Sequence, residues 1–83
     1  MGDNYIGEVR ALPFPFTPAG WMACQGQLLP LAQNTALFSL IGITYGGDGK
    51  NSFGLPNLAP LPSANGGTLH YCIALQGVYP PRS

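Results

Sequence analysis

Charge is scarce in this 83-residue sequence. Three acids (Asp3, Glu8, Asp48) and three bases (Arg10, Lys50, Arg82) make up 7% of the chain and cancel to a net charge of zero. An ordinary globular protein carries about 25% charged residues. Three scattered bases build no basic patch to release counterions from phosphates, which excludes a nucleic-acid partner. Long apolar runs are also missing, and none approaches the roughly 20 residues of a membrane span. The start, MGDNYIGE, has an acid where a signal peptide needs bases and has no apolar core, so no recognisable Sec signal is expected. Myristoylation is excluded because Ile6 stands where Ser or Thr is required.

Histidine occurs once, as His70, and cysteine twice, as Cys24 and Cys72. Together they fall short of a four-ligand zinc site within one chain. The three acids lie in separate segments, without the carboxylate pair of acid–base catalysis. No Gly-x-Ser-x-Gly elbow presents a nucleophile. The expectation is therefore a protein that is not an enzyme and uses no cofactor. Without a C-x2-C pair, the even cysteine count fits one Cys24–Cys72 disulfide in an oxidising compartment. Two buried free thiols are the alternative.

What the chain does have is hydrophobic residues at 46%, with 12 glycines and 9 prolines. Disorder is excluded by that hydrophobicity, and collagen by the lack of a Gly-X-Y period. A neutral, weakly charged surface offers little protection against self-association. Such surfaces are tolerated where copies of the same chain cover them. The size fits a single domain spanning residues 1–83.

Alternation predicts a first strand from Tyr5 to Leu12, with Tyr5, Gly7, Val9 and Ala11 forming a small apolar face. Pro13 to Phe16 stop it, and Pro18-Ala19-Gly20 reads as a turn. Trp21 to Leu29 reads as a tight hairpin or bulged strand broken at Gly26. The one helical signal follows, with Asn34 as N-cap, Leu37, Leu40 and Ile41 on one face, and Gly42 as the stop. Tyr45 to Asn51 is a glycine-dense polar loop. It is no P-loop, since Thr44 and Asn51 occupy the positions of the first glycine and the magnesium-binding hydroxyl. Asn51 to Leu55 is a short strand, and Ala59 to Gly67 an irregular connector. Thr68 to Tyr79 is the strongest strand, with Leu69, Tyr71, Ile73 and Leu75 facing one way. The fold class is mostly β with one short helix.

The string IGEVRALPFPFTPAGWMACQGQLLPLAQNTALFSLIGITYGGDGKNSFGLPNL closely resembles the phage tail collar domain, and more narrowly the bacterial microcystin-dependent protein family. The closing LHYCIALQGVYPPRS resembles the same family's C-terminus, so residues 5–58 and 69–82 are covered. This sequence departs in having Asn57 for the usual Asp and Ala59-Pro60-Leu61 for Arg-Gly-Arg. It also lacks the long segment that precedes the last strand in larger relatives. The resemblance implies a tail-collar-like β module, of the kind that sits in intertwined trimers between the shaft and the receptor-binding tip of a tail fibre.

Composition and resemblance together predict a structural subunit that self-assembles into an extracellular fibre or pilus-like filament. A trimeric collar or receptor-binding piece of a phage-tail-like device is the second reading. Tyr5, Ile6 and Val9 of the first strand and Leu69, Tyr71, Ile73 and Leu75 of the last are the candidate assembly contacts. Trp21 and Tyr45 are candidate ligand-facing aromatics for a cell-surface receptor or glycan; otherwise they are core or interface anchors. The expected location is extracellular or on a cell or virion surface.

Overall fold

A computed structural model describes residues 4–13, 17–62, 64 and 66–81. The chain runs through β1 (Val9–Leu12), β2 (Trp21–Ala23), β3 (Leu28–Pro30), a 3-10 turn (Leu31–Gln33), α1 (Thr35–Ile41), β4 (Ser52–Gly54), β5 (Leu61–Pro62) and β6 (Thr68–Ala74). Two antiparallel sheets result. One is four-stranded, with β6 between β1 and β2 and with β5 also pairing β6; the other is the β3–β4 ladder. The protein is thus mostly β with one short helix.

β6 organises the larger sheet. Val9 lies opposite Ile73 and Leu12 opposite His70 on one side, while Trp21 lies opposite Ala74 and Ala23 opposite Cys72 on the other. Residues directly opposite in a ladder share a face, so the sheet separates two clusters. Cys24, Leu29, Leu37, Phe53, Leu55 and Ile73 form the main core, with Tyr71 and Leu75 packed against it. Trp21, Cys72, Ala74 and Leu12 form the smaller cluster on the other face. The alternation expected along the last strand is therefore present, with its apolar side toward the main core. Phe53 is fully buried, and its ring meets that of Phe38 edge to face at 5.5 Å. Burying a side chain of this size contributes about 1.5–3 kcal/mol.

The helix starts at Thr35 after Asn34 and ends at Gly42, whose φ of +56° breaks the spiral while its N–H still reaches Phe38 O. Asn34 does not cap through its side chain; its Nδ2 donates back to Pro30 O at 3.0 Å. Leu37 carries the buried face, and Leu40 is exposed rather than sharing it.

Several strand boundaries differ from expectation. The first strand begins at Val9, not Tyr5. Tyr5 instead forms an isolated parallel bridge with Val78, and Glu8 N–H turns back to Tyr5 O. Gly7, at φ +85°, permits this turn. Gly7 N–H donates to Ala74 O while Glu8 O accepts from Ala74 N–H. Two residues thus face one, as in a β-bulge that opens with a left-handed glycine. The predicted Trp21–Leu29 hairpin is two strands in different sheets, because β2 pairs β6 whereas β3 pairs β4. The connector contains β5, which pairs Leu61 with Leu69; its Ser63 and Asn65 lie outside the described residues. β6 ends at Ala74 rather than Tyr79, since Asn4 captures the chain there. Its Nδ2 donates to Gln76 O at 2.8 Å and its carbonyl accepts Val78 N–H at 2.9 Å. Trp21 N–H donates to Pro18 O, closing the expected turn. Of the Pro13–Phe16 stop, positions 14–16 lie outside the described residues.

Candidate functional site

Apolar surface is the main chemical feature of the outside. Tyr5, Val9, Leu28, Leu40, Ile43, Tyr45, Leu58, Leu61, Val78 and Tyr79 are all exposed. They gather by local structure. The Tyr5–Val78 bridge and a hydroxyl contact of 2.6 Å between Ser39 and Tyr79 bring one group together where the two terminal segments meet. A second group surrounds the glycine loop. Leu28 lies opposite Gly54 in the β3–β4 ladder, Gly46 N–H donates to Ile43 O, and Gly54 N–H donates to Gly46 O. Leu28 is 59% and Ile43 56% exposed, the two most open large hydrophobic side chains among the described residues.

The loop itself is rigidly tied. Asp48 Oδ1 accepts backbone N–H groups from Lys50, Asn51 and Ser52 at 2.9, 2.9 and 3.1 Å. These donors, Asn51 first, hold the Asp48 carboxyl below its ordinary range. The carboxylate is thus occupied in shaping a turn. Among the described residues, no group of three or more His, Cys, Asp or Glu could hold a metal.

At β1, Glu8 accepts the Tyr5 N–H and pairs with Arg10, and these contacts, Tyr5 first, lower its carboxyl pKa. The Arg10 guanidinium also lies 5.4 Å from the centre of the Trp21 ring. This is cation–π range.

The structure reassigns most of the predicted contacts. Of the assembly candidates, only Tyr5 and Val9 are exposed. Ile73 is buried in the core, and Ile6, Leu69, Tyr71 and Leu75 are half-buried. The reason is the central place of β6, whose apolar face is already covered by its own chain. Trp21 is 6% exposed and lies beneath Arg10, whereas Tyr45 is 49% exposed. Cys24 and Cys72 are both free and buried. Ala23 is the residue opposite Cys72, which puts Cys24 one step out of phase, in the cluster on the other face. Sequence reasoning missed Leu28 and Ile43, which stand beside a loop in which three of seven residues are glycine. A half-open cleft is lined by Cys24, Asn57, Leu58, His70 and Tyr71 among others.

Residues 7–61 match the family model of the Phage Tail Collar Domain. The chain belongs to that family. The match begins at the Gly7 bulge, takes in β1 to β4 and α1, and ends at Leu61 in β5, so both sheets contribute to the collar region. A phage-tail-type structural role follows from membership. No curated protein and no solved structure matches the chain. No helix of this collar domain is long and apolar enough to cross a membrane among the described residues.

Proposed function

We propose that this collar domain is a non-enzymatic structural subunit that self-assembles into an extracellular fibre or pilus-like filament. The observation that carries this reading is its surface. Among the described residues ten large hydrophobic side chains are exposed, on a chain with six charged residues. Association removes apolar area from water at about 25 cal/mol per Å², and little like-charge repulsion opposes it. The burial of β6 favours an assembly surface elsewhere, at the Tyr5–Val78 junction, β1 and the Leu28–Ile43–Tyr45 group.

The family match favours a second reading, a closed trimer acting as a collar or receptor-binding piece of a phage-tail-like device. Both readings put the protein on a virion or outside a cell. Closed and open assemblies differ in symmetry. Negative-stain electron microscopy with light scattering over a dilution series separates them. Long uniform filaments support the fibre, discrete trimers support the collar, and a dispersed monomer at high micromolar concentration overturns both. Receptor or glycan recognition would rest on Tyr45, since Trp21 is buried.

A further inference from the structure

Among the described residues, β1 is an edge strand, with β6 as its one neighbour in the sheet. Ala74 N–H donates to Glu8 O. Backbone groups in an antiparallel ladder alternate in direction, so Glu8, Arg10 and Leu12 turn theirs toward β6. Val9 and Ala11 turn theirs outward. Both of those residues are exposed, as is Arg10. Among the described residues, the strand therefore offers an unpaired edge, a ready template for another strand.

We propose that two copies of this chain join edge to edge along β1, antiparallel and centred on Val9, so that Glu8 of each stands opposite Arg10 of the other. The inference rests on the self-assembly reading and names one of its contacts. It follows from comparing the registers that bring outward backbone groups together. Centred on Ala11, the pairing sets Val9 against Pro13, which has no N–H to give, and Arg10 against Leu12, which offers it no charge. Centred on Arg10, it places two guanidinium groups face to face, and like charges directly opposite are destabilising. Centred on Val9, it forms two Glu8–Arg10 pairs related by the two-fold axis. It also sets Ala11 beside Gly7, which has no side chain and whose N–H is already given to Ala74 O, so the Val9 pair carries the backbone bonds of the contact. Within each chain Glu8 and Arg10 already share one face and form an ion pair, so the contact completes a four-charge network. A two-fold contact closes on itself; a filament then needs a further contact elsewhere on the chain.

Charge reversal tests this in trans. In Glu8→Arg both positions become cationic, and in Arg10→Glu both become anionic, so each variant alone opposes like charges across the contact. Sedimentation should show self-association weakened about tenfold for each, from two cross-strand pairs changed from attraction to repulsion. An equimolar mixture should recover wild-type strength. The intrachain pair cannot give that recovery, because each chain then carries two like charges. Circular dichroism melts confirm that both variants fold. In addition, Val9→Cys should cross-link to itself under mild oxidation, while Ala11→Cys, which faces Gly7, should not. A mixture no stronger than either variant, or cross-linking at position 11 instead of 9, overturns the proposal. If wild type and both variants assemble equally, the β1 contact falls and self-assembly stands. If wild type is monomeric, both fall.

Discussion

The side chains of Cys24 and Cys72 leave opposite faces of the same sheet, one into the cluster around Phe53 and the other toward Trp21. Burial, and secondarily Cys72, push the Cys24 thiol up to about 11, and burial also raises Cys72. Thiolate is the reactive form. At pH 8 about one Cys24 in a thousand is ionised. A thiol reagent such as DTNB should therefore react slowly with the native protein and release two equivalents once denaturant is added. Failure to find two thiols in unreduced, denatured protein would establish the bridge.

Gly47 sits at φ +91° against β4, where a Cβ would overlap the Phe53 backbone and lie 2.6 Å from Ser52 O. Gly42 has φ +56° with nothing within 4 Å of an added Cβ. The two alanine substitutions separate conformational strain from collision. Gly42→Ala should cost about 1–3 kcal/mol, because φ +56° with ψ −142° is a region that side chains avoid. Gly47→Ala should cost about 3 kcal/mol or more, because overpacking adds to the strain. Urea denaturation midpoints measure the difference, and equal losses would mean that the loop yields freely.

Asp48 makes the glycine loop pH-sensitive. Its folded carboxyl is depressed, so the stabilisation is full above the ordinary value of 3.8 and is lost as pH falls through the depressed one. Amide exchange at Lys50, Asn51 and Ser52 should rise across that acid range relative to its intrinsic rate. Asp48→Asn should raise that relative exchange at neutral pH and remove the acid transition at these amides. An unchanged protection pattern in the variant would assign the loop's order to its packing on β4 alone.

Trp21 and Tyr45 should respond in opposite ways to truncation. Trp21 is buried beside Cys72 and Ala74, so Trp21→Ala should destabilise by about 3–5 kcal/mol. Tyr45→Ala, at an exposed position, should change stability by about 0.5 kcal/mol or less. Thermal melts read the first effect, and a glycan array with folded Tyr45→Ala against wild type reads any ligand role. For the same reason Ile73→Asp should prevent folding, as judged by circular dichroism, rather than block assembly selectively.

Local signals were legible where a single residue decides the outcome. Asn34 and Gly42 bracket the helix, and the alternation of Leu69, Tyr71, Ile73 and Leu75 identifies the strand and its core-facing side. Partner choice was not legible. Trp21-Met22-Ala23 and Leu28-Leu29-Pro30 look like two arms of a hairpin, yet their partners lie about fifty and twenty-four residues further along the chain. An apolar strand face marks a core or an interface equally well, so Ile73 read as an assembly contact until the sheet order placed it centrally. The same ambiguity hid the burial of Trp21, whose cover includes the guanidinium of Arg10, a residue in another strand.

The position of β6 has a consequence for synthesis on the ribosome. β1, β2 and β5 all pair with this strand, and it is the last of the four to be translated. A nascent chain that ends before Thr68 can close the β3–β4 ladder and wind the helix, but its other strands await their shared partner. Contacts so distant in sequence form slowly. Until Thr68–Ala74 emerge, Met22 and Cys24 on one side and Trp21 on the other remain open to water, to chaperones and to neighbouring chains in the same state.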